Sequence, residues 1–492
     1  MSGGVAMAKG SRAKGKDFDA IIVGGGPGGL AVGCLLAKQG VKSAIIERAP
    51  ALGGRYRAAN FHGCRVDSSV KFFASQFGSA EKTFCYKLFN HLGLPLKNKT
   101  VPWAMSMVTK EEPGKVKYFA MDPKLGAENF FEFFAFASGV QMAPESQKEL
   151  KRIAAIFEDM SEEECHKVVN VSFADWVNKN VEDPITKAIF QGMGPINGAS
   201  IEDTNLGHVA DSMGTFNRHG AIHIWYPKPG PLEDTIIAPL IKYYKDHGGK
   251  IITNRRVRSI NIEKRTATGV VAQDENNCNM LEEYTSSVVI CAIPIFEAVA
   301  RNVIRKEFLR KDWAESIRKC GELAGVDLTG FFLLREKVVT PDKGYGWIHI
   351  FDNDPFPVYM GDLALGSYTG ATVPPGKQLV CSMIPGTLDA TNFGPTAPME
   401  KVKEAHRRWK ESVEKGFPGF TKAIEYEGMN LQLCFTRYSY AVVPVEIDFQ
   451  PPNLKGLYFA GDSIRSVGTQ MSDKCFLIAF PVCESIMDYL GK

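Results

Sequence analysis

The first fifty residues alternate between apolar runs and a glycine-rich segment in the order of a strand, a helix and a second strand. Residues 20–23 form a short apolar run rich in β-branched side chains, as in a parallel strand that is buried on both faces. Residues 30–38 have the composition of a helix, and Gly40 is suited to end it. A second apolar run at residues 41–46 predicts the next strand. This order predicts the start of a parallel α/β sheet.

Helical and strand-like patterns follow each other in blocks along the rest of the chain. Helical spacing marks residues 81–93, 145–215 and 396–425, whereas short strands with Gly and Pro punctuation mark residues 250–296 and 325–385. The last forty residues predict a strand at residues 456–460 and a closing helix. The two ends and the middle strands therefore have the pattern of one nucleotide-binding domain, into which the other segments are inserted.

Three glycines follow the first predicted strand at G-x-G-x-x-G spacing. Gly24 permits a tight turn, Gly26 lets the backbone approach a pyrophosphate, and Gly29 allows the helix to pack closely on the strand. The helix N terminus then offers unpaired N–H groups and a positive dipole end to the phosphates. Glu47 follows the second strand, where it can accept hydrogen bonds from ribose hydroxyls. The pattern predicts a dinucleotide-binding unit.

Two further segments carry chemistry suited to the same ligand. Arg48 is followed by Gly53-Gly54-Arg55, where the glycines allow close approach of the backbone and the arginine can bind phosphate with two hydrogen bonds. Near the C terminus a predicted strand ends in Gly461-Asp462, which presents an N–H group and a carboxylate at the carboxyl edge of a sheet. Each segment taken alone also fits an ordinary structural loop.

Composition places the chain among ordinary globular proteins and excludes several function classes. Of the 492 residues, 45% are hydrophobic, and the net charge of +3 is too small to suggest a nucleic-acid partner. No segment reaches the roughly 20 apolar residues that span a bilayer. The 11 cysteines form no C-x-x-C pairs, and Gly220 between His219 and His223 disfavours a metal-binding helix. We therefore expect no disulfide framework, no metal site and a cytoplasmic location.

Residues 1–16 form a basic tail. They include Lys9, Arg12, Lys14 and Lys16, no acidic residue, and no apolar run of the kind found in signal peptides. We expect this tail to be disordered. A weak peripheral contact with an anionic membrane surface is the alternative interpretation.

Together, the glycine motif, the Gly53-Gly54-Arg55 segment and Gly461-Asp462 resemble the flavin-containing amine oxidase and phytoene desaturase superfamily, with this chain on the phytoene desaturase-like branch. The resemblance implies FAD as the cofactor. The glycine motif and Glu47 would hold its ADP part, the Gly-Gly-Arg segment would cover the pyrophosphate, and Gly461-Asp462 would bind the ribityl–phosphate region.

The middle of the chain carries the same resemblance. Tyr226-Pro227-Lys228-Pro229-Gly230 is similar to the superfamily's Tyr-Pro-x-Gly-Gly turn, which opens a helix. Residues 256–260 resemble its strand that contacts the adenine, and residues 287–292 resemble the apolar strand that follows. The resemblance covers residues 18–80, 225–296 and 454–489 in the order that the superfamily shows.

The resemblance implies an α/β fold, with a discontinuous Rossmann-like FAD-binding domain and an inserted α+β substrate domain that contains a mixed or antiparallel sheet. The FAD-binding domain is assigned to residues 17–100, 225–300 and 450–492, and the substrate domain to residues 101–224 and 301–449. The predicted cofactor-binding residues, from motifs and resemblance together, are Gly24, Gly26, Pro27, Gly28, Gly29, Glu47, Arg48, Gly54, Arg55, Val257, Gly461, Asp462, Ser472 and Asp473.

The chain departs from the superfamily pattern at three positions. Ser69, Lys474 and Ala479 stand where glycine is usual. In the superfamily the closing helix points its N terminus at the flavin pyrimidine ring, where negative charge develops on reduction. Lys474 would either add a positive charge at that place or simply be solvated.

The residues that would act in catalysis are not fixed by any motif. The candidates are Lys474, Tyr438 and Tyr440, because amine oxidases place aromatic rings from this part of the chain beside the flavin. Alternation in an ordinary strand explains the two tyrosines equally well. The phenylalanines between residues 130 and 136 fit a plain core, an apolar channel or a membrane contact.

Three functions are compatible with the resemblance. The first is an FAD-dependent oxidoreductase that transfers hydride between a substrate carbon and flavin N5, in the desaturation or saturation of a CH–CH bond in a small, apolar isoprenoid or cyclic substrate. The second is a flavin amine oxidase. The third is a non-enzymatic carrier of prenylated proteins, like the Rab GDP-dissociation inhibitors. Oxygen, a quinone and a partner flavoprotein are all compatible electron acceptors. The sequence does not predict the oligomeric state.

Overall fold

A computed structural model provides the structure of the protein. It describes residues 16–70, 73–75, 79–101, 103–108, 116–120, 136, 142–191, 201–219, 223–322, 325–341, 346–352, 358–366, 370–385, 399–434, 441–465, 467 and 473–492.

Strands and helices are numbered here in chain order. The strands are β1 (Phe18–Val23), β2 (Ser43–Ile46), β3 (Ala58–Phe61), β4 (Cys64–Asp67), β5 (Phe73–Ser75), β6 (Lys97–Val101), β7 (Trp103–Val108), β8 (Val116–Ala120), β9 (His223–Lys228), β10 (Lys250–Ile252), β11 (Arg255–Glu263), β12 (Thr266–Asp274), β13 (Leu281–Cys291), β14 (Gly325–Leu334), β15 (Trp347–Asp352), β16 (Val358–Leu365), β17 (Gln378–Pro385), β18 (Ile424–Cys434) and β19 (Leu457–Phe459). The helices are α1 (Pro27–Lys38), α2 (Phe84–Leu92), α3 (Pro144–Asp159), α4 (Glu162–Lys167), α5 (Phe173–Asn180), α6 (Pro184–Gln191), α7 (Leu206–His219), α8 (Ala238–Asp246), α9 (Ile295–Ala300), α10 (Lys311–Glu322), α11 (Met399–Gly416), α12 (Phe420–Ala423) and α13 (Lys474–Leu490).

The first large sheet has β1 near its centre. Its strand order is β10-β2-β1-β13-β12-β11, and β19 also pairs with β13. Strands β10, β2, β1, β13 and β19 run parallel, whereas β12 and β11 continue antiparallel. Ala20, Ile21 and Ile22 are completely buried, because both faces of β1 are covered. The predicted parallel start of the fold is confirmed.

Strand β13 belongs to both halves of this sheet. Residues 281–285 pair antiparallel with β12. Residues 286–291 run alongside β1 in parallel, and residues 289–291 also pair with β19. This strand therefore joins the middle of the chain to its two ends in one hydrogen-bonded sheet.

The second large sheet has the order β18-β14-β17-β16-β15-β7-β8. All neighbours are antiparallel except β15 and β7, which run parallel. Helix α11 packs on this sheet, and the rings of His406 and Trp409 each stack on Phe332 with centroid distances of 5.2 Å. The predicted mixed or antiparallel sheet is confirmed, and the β15–β7 pair makes it mixed.

Side-chain contacts of the β3–β4 hairpin connect the second large sheet to the turn before α8. Phe61 lies against Phe331 of β14, with ring centroids 5.7 Å apart. Arg65 of β4 forms an ion pair of 2.8 Å with Asp234, in the π-helical turn Glu233–Ile237 that leads into α8.

The predicted helix after the Tyr226–Gly230 turn is present, although it begins with this π-helical turn.

Helices α3 to α7 occupy the segment in which the sequence predicts helices. Helix α4 begins with a capping box, in which Ser161 and Glu164 satisfy each other's backbone N–H groups. Helix α7 follows Asn205, whose side-chain oxygen accepts a hydrogen bond of 2.7 Å from the His208 amide. Local capping chemistry therefore explains where α4 and α7 start.

Some sequence predictions lie outside the described residues. These are residues 1–15 of the tail and the aromatic segment before Phe136, whose ring lies 5.7 Å from that of Phe119. The domain boundaries stay a prediction. Within the described ranges, no helix combines the length and the apolar character needed to cross a membrane.

One buried carboxylate, that of Asp473, connects the start of α13 to α2 by hydrogen bonds. Asp473 accepts hydrogen bonds of 2.9 and 2.8 Å from the backbone amides of Phe84 and Cys85, the first two residues of α2. Burial raises the pKa of Asp473 to about 6, although the two amide hydrogen bonds act in the opposite direction. The folded protein therefore binds a proton at this site more tightly than the unfolded chain.

The raised pKa of Asp473 predicts a specific pH dependence of stability. Between about pH 4 and 6 the folded state binds more protons than the unfolded state, so the free energy of unfolding should fall by roughly 3 kcal/mol as the pH rises through this window. Asp473→Asn should lack this decline. Urea unfolding of both proteins from pH 4 to 7 measures it, with the exposed Asp488→Asn as control. Parallel curves for wild type and Asp473→Asn would contradict the assignment.

Candidate functional site

A cleft of about 890 Å³ lies where the carboxyl ends of β1, β2, β13 and β19 meet. This is the edge at which open α/β sheets bind their ligands. We call it the main cleft. The residues that line it are Val23, Gly24, Gly26, Pro27, Gly28, Ile46, Glu47, Arg48, Ala49, Ala51, Gly54, Arg55, Arg57, Arg255, Arg256, Val257, Arg258, Ala292, Ile293, Pro294, Glu297, Ala300, Arg301, Asn302, Val303, Ala460, Gly461, Asp462, Ser463 and Cys475.

The glycine turn between β1 and α1 forms the floor of the main cleft. Gly24 has a φ of +100°, which side chains with a Cβ rarely adopt. A Cβ at Gly26 would meet no atom within 4 Å, so the backbone here is open to a ligand. A Cβ at Gly29 would lie 2.1 Å from the Gly24 carbonyl oxygen. Gly29 therefore serves the packing of α1 on β1, as the spacing predicts, and does not line the cleft.

Glu47 lines the main cleft, and its carboxylate is held in place by the backbone. One oxygen accepts a hydrogen bond of 2.8 Å from the Gly25 amide, and the other accepts one of 2.8 Å from the Ala49 amide. Each carboxylate oxygen has a further lone pair, so the group can still accept hydrogen bonds from hydroxyls. The turn after β1 and the acid after β2 thus form one preorganised unit.

An ion pair spans the main cleft between the two ends of the chain. The Arg55 guanidinium lies 2.6 Å from the Asp462 carboxylate, and both side chains are largely buried. Arg55 follows two glycines with positive φ, Gly53 and Gly54, which turn the segment over α1. Arg55 and Asp462 are 407 residues apart in the sequence. The two motifs to which they belong are therefore parts of one site.

The main cleft carries an excess of positive charge. Seven arginines line it against three carboxylates. Arg255, Arg256 and Arg301 are engaged by neighbouring acids. Arg48, Arg57 and Arg258 make no ion pair within the described part of the chain. Such a cleft suits a ligand that carries two or more negative charges, and a pyrophosphate is of that kind.

The structure places most of the predicted cofactor residues in the cleft, with two exceptions besides Gly29. Asp473 does not line it, because its carboxylate binds the amides of α2. Ser472 lies outside the described residues, as do the two catalytic candidates Tyr438 and Tyr440.

Several residues that line the cleft are not among the predicted cofactor-binding residues. Arg256 and Arg258 flank the predicted Val257, and their alternation along β11 is a signal that marks the exposed face of that strand. Cys475 belongs to the closing segment that the resemblance marks. Arg57 and Arg301 belong to no motif, and only the tertiary fold brings these two to the cleft.

The alternative that Lys474 is solvated is wrong. Its side chain is buried, with 1% of the residue exposed, and Nζ donates a hydrogen bond of 2.6 Å to the Arg465 carbonyl oxygen. Within the described residues, no group of three or more histidine, cysteine or acidic side chains is arranged to hold a metal ion.

Comparisons with known proteins agree with this geometry. Residues 22–88 match the NAD(P)-binding Rossmann-like domain family. Over 52 residues the chain is 44% identical to 4,4'-diapophytoene desaturase (4,4'-diapolycopene-forming) of Methylomonas sp, which covers 11% of this chain and 10% of that protein. The chain therefore matches about a tenth of the length of this relative.

Solved structures extend the likeness to nearly the whole chain. An oxidoreductase from Methanosarcina mazei has 17% identity and a TM-score of 0.63, over 94% of this chain and 99% of that one. Cyclohexylamine oxidase from Brevibacterium oxydans has 16% identity and a TM-score of 0.61, over 97% and 100%.

The chain shares the fold of cyclohexylamine oxidase and of the Methanosarcina mazei oxidoreductase. The resemblance stated from the motifs is thereby confirmed at the level of the fold. The groups that the main cleft presents also fit a dinucleotide. It offers an open backbone at Gly26, a fixed acceptor at Glu47, a helix N terminus at Pro27 and unpaired arginines.

Two glycine substitutions should separate folding from cofactor binding. Gly29→Ala should lower the free energy of unfolding by about 1–3 kcal/mol, because its Cβ would overlap the Gly24 carbonyl. Gly26→Ala should leave stability within about 0.5 kcal/mol but reduce bound flavin, because its methyl group would stand where the ligand approaches. Urea unfolding and the ratio of flavin to protein absorbance measure the two effects. If both variants lost the same stability and the same amount of flavin, the separate roles of Gly29 in packing and Gly26 in cofactor binding would be wrong.

Glu47→Ala should weaken FAD retention by at least tenfold. A hydrogen bond to a charged group contributes about 1.5–3 kcal/mol, and Glu47→Gln, which keeps one oxygen acceptor, should have an intermediate effect. Flavin titration of the apoprotein measures the affinity. Thermal unfolding serves as the control, since Glu47 also binds the Gly25 and Ala49 amides. Full flavin content in Glu47→Ala would show that Glu47 does not bind the ribose of the cofactor.

Proposed function

We propose that the protein is an FAD-dependent oxidoreductase that transfers hydride between a carbon atom of its substrate and flavin N5. The observation that carries this proposal is the main cleft itself, which brings together Glu47 bonded to the Gly25 amide, the glycine turn, and Gly461-Asp462 against Gly28. Bound FAD would supply the hydride acceptor. The superfamily fold over nearly the whole chain supports the same function.

The residues of this chain would bind and orient the cofactor. Glu47 would accept the hydroxyls of the adenosine ribose, and the N terminus of α1 would face the pyrophosphate. Arg55 would lie over the pyrophosphate while its ion pair with Asp462 keeps the covering segment closed. Cys475 is buried, and burial raises the pKa of its thiol, so it stays a neutral, apolar wall of the cleft.

We propose desaturation, or the reverse saturation, of a CH–CH bond in an apolar isoprenoid or cyclic substrate as the reaction. The identity to 4,4'-diapophytoene desaturase supports it. In the oxidative direction the substrate loses a hydride to the cofactor and a proton to a base or to water, and a double bond forms. The protein needs only to hold the C–H bond over N5 and exclude water.

Amine oxidation is the second candidate. It is favoured by the fold shared with cyclohexylamine oxidase over 97% of this chain. A non-enzymatic carrier of prenylated proteins is the third, and the preorganised Glu47 and the cationic cleft disfavour it, because such a carrier needs no dinucleotide site.

An anaerobic substrate panel distinguishes these functions. We expect the purified protein to be yellow and its absorbance near ~450 nm to bleach with isoprenoid or cyclic CH–CH donors. Bleaching by amines alone would replace desaturation with amine oxidation. A colourless protein that takes up no FAD would favour the carrier function.

A further inference from the structure

We propose that a second, smaller cavity of the protein binds a phosphate monoester group, carried either by a soluble small molecule or by the headgroup of an anionic lipid. The cavity has a volume of about 560 Å³ and lies between the tip of the β11–β12 hairpin and residues 450–455. We call it the hairpin pocket. It shares no lining residue with the main cleft, so this inference goes beyond the proposed function.

The hairpin pocket and the main cleft lie at opposite edges of the first large sheet. Lys455 precedes the amino end of β19 by two residues, whereas Gly461-Asp462 follow the carboxyl end of the same strand. Thr266 forms a parallel bridge with Lys455, and the Ala267 amide donates a hydrogen bond of 2.9 Å to the Lys455 carbonyl oxygen. A ligand in the hairpin pocket would therefore occupy a place separate from that of a bound dinucleotide.

The lining of the hairpin pocket carries three positive charges and no negative charge. The cations are Lys264 and Arg265 at the hairpin tip and Lys455 in the facing segment. Within the part of the chain that the structure describes, none of the three forms an ion pair. A phosphate monoester carries a charge of about −1.5 to −2 at pH 7. The volume of the pocket also leaves room for an organic group beside the phosphate.

The turn that presents Lys264 and Arg265 is not one that these residues favour. Glu263 pairs with Thr266, so the hairpin has a two-residue loop. Both loop residues have positive φ, +46° at Lys264 and +65° at Arg265, which is the arrangement of a type I′ turn. Asn followed by Gly suits such a turn, because most other side chains crowd the backbone there. The geometry of the hairpin therefore does not account for two long cationic side chains at its tip.

The turn on the other side of the pocket has residues that suit its conformation. The Leu454 amide donates a hydrogen bond of 3.4 Å to the Pro451 carbonyl oxygen, which closes a β-turn with Pro452 and Asn453 at its centre. Asn453 has a φ of +64°, and Pro followed by Asn is a favoured pair at the centre of a turn with positive φ at its third residue. Turn preferences thus explain Pro452-Asn453 but leave Lys264-Arg265 unexplained.

The backbone of the facing turn holds Arg265 in place at the pocket. Its Nε donates a hydrogen bond of 3.0 Å to the Asn453 carbonyl oxygen, and its own carbonyl oxygen accepts one of 2.9 Å from the Lys455 amide. The two terminal nitrogens of the guanidinium carry four further N–H groups, and two of these can bind a phosphate in the bidentate manner typical of arginine. Because the guanidinium is already fixed, binding would not have to order it.

Lys16 adds a positive charge beside the same segment. Its Nζ donates a hydrogen bond of 3.2 Å to the Ser287 hydroxyl. The Ser287 carbonyl oxygen lies 2.9 Å from where a Cβ on Gly456, the residue after Lys455, would stand. Lys16 therefore raises the positive potential at this edge of the sheet without lining the pocket, and this favours the approach of an anion.

The test compares wild type with a turn variant, Lys264→Asn combined with Arg265→Gly. This pair of substitutions introduces the residues that a type I′ turn prefers, so the turn variant should unfold at the same temperature as wild type or at a higher one. It should bind a phosphate monoester at least about tenfold more weakly, because two of the three cations are lost. A purely structural role of the two residues would not combine retained stability with lost binding.

Two probes with the same phosphate group distinguish its sources. Glycerol 3-phosphate, titrated into the protein by calorimetry, represents a soluble ligand, and glycerol is its uncharged counterpart. Phosphatidylcholine vesicles in which about one lipid in five is phosphatidic acid represent the lipid headgroup. Cosedimentation with these vesicles is compared with cosedimentation with pure phosphatidylcholine. Saturating FAD is present throughout, so that the arginines of the main cleft are occupied by the cofactor.

Further variants separate the hairpin pocket from general effects of charge. Lys455→Gln should also weaken binding, because it removes the third cation. Lys401→Gln combined with Lys403→Gln removes two exposed lysines from α11 and should leave binding unchanged. A tail variant, in which the basic residues of the N-terminal tail before Lys16 are replaced by Gln, should keep the binding of glycerol 3-phosphate. Thermal unfolding is recorded for each variant.

Binding of either probe by wild type, with loss in the turn variant and in Lys455→Gln, supports the inference and identifies the source of the phosphate group. If wild type binds neither probe, or if the turn variant binds as wild type does, the hairpin pocket is not a phosphate site. Loss of binding in the tail variant alone would also overturn the inference. None of these measurements records flavin reduction or turnover, so the failure of the proposed function would be seen separately.

Discussion

The close approach of two glycine-containing turns determines where everything else in the site lies. Gly28 is the second residue of α1, and a Cβ at this position would lie 2.8 Å from the Cα atom of Gly461, two residues after the end of β19. No larger residue at Gly28 would allow the first and last strands to end at the same point. Because they do, the Arg55–Asp462 ion pair can form, and the cleft is built from both ends of the chain.

The first large sheet shows how the fold accommodates the long chain segments between its strands. Strand β13 pairs with the antiparallel hairpin partner β12 in its first half and with β1 and β19 in its second half. The ends and the middle of the chain are thereby fixed by backbone hydrogen bonds in a buried sheet. The second large sheet shares no strand with this one, so the nucleotide end of the cleft does not depend on its backbone hydrogen bonds.

The predictability of the site depends on whether a residue's role is local. Gly24, Gly26, Gly29 and Glu47 act within one strand–helix–strand unit, so their spacing alone predicts their geometry. The strands of the first sheet were also predictable, because burial on both faces leaves continuous apolar runs. Arg57 and Arg301 reach the cleft only through the tertiary fold, and no local pattern marks them. Asp473 was assigned to the cofactor by analogy, but its carboxylate binds the amides of α2, a contact across 389 residues that sequence spacing cannot show.

Three consecutive residues at the start of the closing helix each contact a different part of the protein. Asp473 binds α2, Lys474 binds the segment after β19, and Cys475 faces the cleft. Since successive residues of a helix are rotated by about 100°, a one-residue insertion or deletion at this point would move every one of these side chains to its neighbour's place. Homologous proteins can therefore be expected to differ here by substitution, while the register of the helix start is kept constant.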